Sequence, residues 1–223
     1  MLLLPYLAGL RFGFDWLQAP LLIGWLTGWL FSHHVLIAVK TRRVARVRSQ
    51  IIVYGAICVL MLAPVLALRP ALFWFAPAYA LLFSTNVLMV RGGKERATFN
   101  GIVSVTMASL MAMIVPVTAG LDAAVGIPVA AVAWVYLVGS VFYIKSMIRE
   151  YGSTPHRAAS GIYHVVALVI TTIIWPWLAI PFGIALARSL VLPAQPRMRV
   201  SVVGGAEVAV SLVVLGFLLT MPV

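Results

Sequence analysis

G-I-Y-H-V-V-A-L-V-I-T-T-I-I-W-P-W-L-A-I-P-F-G-I-A-L-A-R-S-L-V-L, from Gly161 to Leu192, decides how many times this chain crosses a membrane. As one helix rising about 1.5 Å per residue it would run roughly 48 Å, far more than a hydrocarbon core of about 30 Å takes even with tilt. Pro176 and Pro181 fall near its middle, in W-P-W-L-A-I-P, which suits a tight hairpin because proline cannot continue a helix ladder. The stretch therefore reads as two short spans.

Composition sets the solvent. Sixty-three per cent of the chain is apolar and nine per cent charged, against about 45–50% and about 25% in soluble domains. At roughly 20 apolar residues per crossing, 223 residues are filled by eight or nine helices, leaving a single transmembrane domain over 1–223 with no soluble module. Segments in lipid must satisfy their own backbone hydrogen bonds, so short loops between apolar runs make the class all-helical.

Outward from the quoted stretch, spans are expected at about Leu17–Ala38, Ile51–Leu68, Ala71–Val90, Asn100–Thr118, Val125–Ile144 and Val202–Thr220. Met1–Leu10 reads as the end of a first span whose start is missing. The count is nine, one of them truncated. With the N-terminus in the cytoplasm, fourteen of the sixteen Lys and Arg lie on that side and only Arg11 and Arg69 opposite, the asymmetry that orients membrane helices. Merging the hairpin would put Arg197 and Arg199 on the wrong side. The net charge of +11 thus reads as topogenic charge beside anionic lipid rather than as a nucleic-acid surface. Cys58, the single cysteine, excludes an intramolecular disulfide and a cysteine-based metal site.

Polar chemistry is scarce enough to single out. Lys145 and Arg149, four apart, share one face at the end of their span, and Ser160 and His164 share another across the loop. Convergence of these faces on a cytoplasmic-side cavity would hold an anion. Glu207 is the one carboxylate placed within a span, a functional position by default whose partner has to be named; Lys145 or His164 is expected. Were a bound group to react, His164 and Glu207 would serve as acid and base. Asn86 lies inside its span, and Lys40, Arg96 and Asn100 lie near its basic end, as further ligand contacts. His33-His34 lack the i, i+4 spacing of a helical zinc site, and no metal or cofactor motif is present. Interhelical hydrogen bonding, snorkelling and ion pairing explain each of these residues without a ligand.

M-L-L-L-P-Y-L-A-G-L at Met1–Leu10, N-V-L-M-V-R-G-G-K-E-R-A-T-F-N at Asn86–Asn100, and Lys145, Arg149-Glu150, Ser160 and Tyr163-His164 together resemble the YwiC-like family of bacterial integral membrane proteins. Members typically carry a segment like W-x-P-x-Q-H-G-A-W-A before M-L-L-L-P, and its absence here suggests a later start. The resemblance implies residence in the bacterial cytoplasmic membrane and a layout similar to the UbiA-type prenyltransferases. Those proteins hold magnesium and a prenyl diphosphate with aspartate-rich motifs after spans two and six. Here the corresponding places carry Lys40–Arg48 and Lys145–Glu150, without N-D-x-x-D spacing. Direct Lys/Arg contact to an anionic amphiphile, such as an isoprenoid phosphate, quinone precursor or phospholipid, is the expectation. A small transporter using Glu207 and His164, or an assembly factor without a ligand, is the alternative.

Overall fold

A computed structural model describes residues 2–222. Helix α1 (Leu3–Gly9) precedes α2 (Gln18–Thr41), α3 (Arg48–Leu68), α4 (Ala76–Arg91), α5 (Thr98–Ser109), α6 (Met111–Thr118), α7 (Ile127–Ile148), α8 (Thr154–Ile174), α9 (Ala179–Val191) and α10 (Val200–Thr220). With α5 and α6 taken as one span, eight segments among the described residues are long and apolar enough to cross a membrane.

The expected hairpin is present. α8 stops at Ile174, Pro176–Leu178 forms a single 3-10 turn, and α9 follows. The expected fifth span is interrupted at Leu110. Pro116 in α6 donates no bond to the carbonyl of Ala112 and crowds it. Gly126 approaches from the next link, so closely that a Cβ there would lie 2.3 Å from that oxygen.

The solvent of this fold is decided by α3. Its span averages a hydropathy of 2.7, yet only 6% of it is buried within the protein. A helix apolar on every side must be covered, and α3 is covered almost solely along its seam with α2. Lipid supplies the rest. That seam is close because Gly24 and Gly28 form a small-x-x-x-small stripe: a Cβ at Gly24 would sit 2.5 Å from Leu62, and one at Gly28 would sit 3.2 Å from the Cys58 sulfur.

The pairing continues α4 on α5, α5 on α7, α7 on α8 and α8 on α9, with α10 returning to α1, α7 and α9. α7 is the central helix, packed against α1, α5, α6, α8 and α10. Leu4 and Ala8 of α1 join the main core, whereas Tyr6 packs with Leu17, Val65 and Val115 in a second cluster. Arg11 donates to the Leu218 carbonyl at 2.8 Å, tying the N-terminal segment to the end of α10. Arg69 donates to the Thr118 carbonyl at 2.9 Å and pairs with Asp15 at 3.3 Å, closing the same end of the bundle.

Candidate functional site

Two sites emerge, on opposite sides of α5 and α7. The first is a groove of about 670 Å³ between α2, α3, α4 and the α5–α6 span. Most of its wall is apolar, with Leu21, Trp25, Leu62, Tyr79, Phe83 and Met111 among the lining residues. Trp29 and Phe73 at its rim are exposed, so it opens toward lipid. Four polar residues gather toward one end: Ser32 and His33 on α2, Asn86 on α4 and Ser104 on α5. Asn86 is buried, donating to the Met107 sulfur at 3.5 Å, and its Oδ1 lies 3.5 Å from the Ser104 hydroxyl, which donates to the Asn100 carbonyl at 2.9 Å. From Asn86 to Arg91, and from Leu36 to Lys40, is only about 6–8 Å of helix rise. The polar end of the groove therefore lies beneath the basic links.

In that rim Lys40 pairs with Glu95 across the α2 and α4–α5 ends. The Lys40 ammonium, followed by a backbone hydrogen bond, holds the Glu95 carboxyl below the usual glutamate range. Asn100 donates to the Glu95 carbonyl at 3.0 Å. Arg91 and Arg96 are exposed. Lys40, Asn86, Arg96 and Asn100 thus belong to one region, joined through a Lys40–Glu95 contact that spacing in the sequence does not reveal.

The second site is a buried charge cluster between α7, α9 and α10. Glu207 pairs with Arg188, not with Lys145 or His164, and the two side chains are 6% and 5% exposed. Arg188 belongs to the inside charges by sequence, but the hairpin lowers it to the depth of Glu207. Ser140 donates to the same carboxylate, as does the Tyr136 phenol at 2.9 Å. With its proton so committed, Tyr136 accepts from Ser211 at 3.0 Å. The Tyr143 ring stacks on the guanidinium with its centroid 4.0 Å from Cζ. Tyr136, Ser140 and Tyr143 recur at helical spacing on one face of α7, a signal the sequence contained.

The expected convergence of Lys145 and Arg149 with Ser160 and His164 is not what the contacts show. Lys145 turns toward α5 and donates to Thr98 at 2.8 Å, while Arg149 is exposed. Ser160 and His164 are buried on α8. His164 places Nδ1 2.7 Å from the Ser160 carbonyl, which only accepts, so Nδ1 carries the proton. Its Nε2 abuts Gly139, where a Cβ would come within 3.1 Å. Among the described residues no hydrogen bond joins His164 to Glu207.

A fold whose most apolar helix is covered mainly by lipid, and whose interior charges are paired, defines a multi-pass α-helical membrane protein. The chain belongs to the YwiC-like family, whose model matches residues 1–116, the part that builds the groove. It is 25% identical over 217 residues to a protein of Haemophilus influenzae whose name states no function, covering 96% of this chain and 90% of that one. It is 26% identical over 211 residues to the uncharacterised protein YwiC of Bacillus subtilis, covering 88% and 80% respectively. No solved structure matches, and the UbiA-like layout has no support from these comparisons.

Proposed function

We propose that the chain binds an anionic amphiphile, with its hydrocarbon chain in the groove between α2 and α5 and its headgroup among Lys40, Arg91 and Arg96. The observation that carries this reading is the groove itself: mostly apolar, open to lipid, with Ser32, His33, Asn86 and Ser104 toward the end beneath the basic rim. Volumes of about 300–1,000 Å³ with few polar groups are typical of small-molecule sites. Lys and Arg recognise phosphate or carboxylate directly. The orientation that follows keeps the rim in the cytoplasm, beside the anionic leaflet of the bacterial cytoplasmic membrane. Isoprenoid phosphates, quinone precursors and phospholipids share this chemistry.

Native mass spectrometry of protein extracted in mild detergent tests it. Wild type should retain an acidic lipid that Ala80→Trp, which fills the groove, expels. Lys40→Ala with Arg96→Ala should lower its retention. An empty wild-type protein, or retention indifferent to both changes, refutes the reading.

A further inference from the structure

We infer that Arg188 forms the floor of a second, oxoanion-binding site between α7, α8 and α9, which takes a phosphate-like group. The inference stands apart from the groove and does not rest on it.

The argument starts from the donors that the fold buries and leaves without a partner. Arg188 is 6% exposed and meets Glu207 through Nη1 alone. Its Nε and Nη2 have no hydrogen-bond partner. Those two N–H groups leave the same edge of the guanidinium in parallel, the fork that grips two oxygens of a carboxylate or phosphate. Two more buried donors lie on the helices packed against α9. The Tyr143 hydroxyl, on the side chain stacked against Arg188, is unpartnered, and so is Ser160 Oγ on α8. Both residues are 0% exposed. Ser160 lies on the buried face of α8, one turn before His164, and α8 packs along α9, which carries Arg188.

Unsatisfied buried polar groups are costly and uncommon. Here Arg188 Nε and Nη2, Tyr143 Oη and Ser160 Oγ are all capable of donating. A ligand that satisfies them must be rich in acceptors. Glu207 does not repel it, because Arg188, Tyr136 and Ser140 already bond its carboxylate. That division of labour explains a buried arginine better than pairing alone: one edge neutralises Glu207 and the other faces the ligand. Arg157, exposed one turn before Ser160 on α8, brings a matching sign to that end of the helix.

The test uses the full chain in nanodiscs of neutral phosphatidylcholine, titrated by calorimetry with inorganic phosphate and, separately, with short-chain phosphatidate. Diacylglycerol of the same chain length is the control. Saturable binding of inorganic phosphate assigns a free oxoanion, and binding of phosphatidate alone assigns a lipid headgroup. Tyr143→Phe and Ser160→Ala each remove a hydroxyl that bonds nothing in the protein, so both should fold with an unchanged unfolding midpoint. Each should weaken phosphate binding about three- to tenfold, the worth of one hydrogen bond. Arg188→Lys keeps a cation for Glu207 but lacks the fork, and should weaken binding more than either. Binding of neither phosphate probe, equal binding of diacylglycerol, or affinities indifferent to Tyr143→Phe and Ser160→Ala would overturn the inference.

Discussion

Breaking the Arg188–Glu207 pair from one side should be among the most damaging single changes in this protein. Glu207→Gln preserves shape and leaves acceptors for Tyr136 and Ser140, but it strands a guanidinium whose side chain is only 5% exposed. Removing one partner of a buried pair costs about 3–5 kcal/mol, because the remaining charge stays desolvated. Arg188→Met strands the carboxylate instead, with part of its loss offset by the two hydroxyls that still donate to it. It should therefore cost less than Glu207→Gln. The double change Arg188→Met with Glu207→Met removes both charges and should recover much of the loss, since apolar replacement of a whole pair is often neutral. Equilibrium unfolding in mixed micelles gives the three free energies and hence the coupling, expected to be at least about 2 kcal/mol. Additive single effects, or a Glu207→Gln cost below about 1 kcal/mol, would refute the picture of an uncompensated buried charge.

Three further outcomes follow from other parts of the fold. Gly24→Ala should destabilise by about 1–3 kcal/mol, as overpacking does, because its Cβ meets Leu62 at 2.5 Å; Leu62→Ala in the same chain should restore the unfolding midpoint. Glu95 has its carboxyl held low by Lys40, so its contribution is present above the ordinary glutamate pKa of about 4.3 and fades as pH falls through the lower folded value. Glu95→Gln should flatten that acid limb of the midpoint against pH, and added salt should mimic the change in this exposed pair. For orientation, with Cys58→Ser as background, a cysteine at Arg42 should react with a membrane-impermeant maleimide only after cells are opened, and one at Asp122 should react in intact cells. The reverse pattern would invert the proposed topology.

What the sequence by itself determined was everything that depends on length and mean polarity. Span length, the Trp175–Pro181 hairpin, the all-helical class and the crowding of Lys and Arg at one side are local properties, read without knowing any neighbour. Asn86 as an interhelical hydrogen-bonding residue was legible too, because an amide inside hydrocarbon has to find a partner. Tertiary structure alone decided which helix faces meet. Helices such as α2, α3 and α10 are apolar nearly all round, so no periodic stripe records their rotation or their neighbours. For that reason the partner of Glu207 was Arg188 rather than Lys145 or His164, and Lys145 turned to Thr98. The same holds for the groove, which belongs to four segments at once and to none of their sequences singly. The seam at Gly24 and Gly28 lies between these cases: the spacing was written in the chain, but only Leu62 and Cys58 across the seam show what those glycines admit.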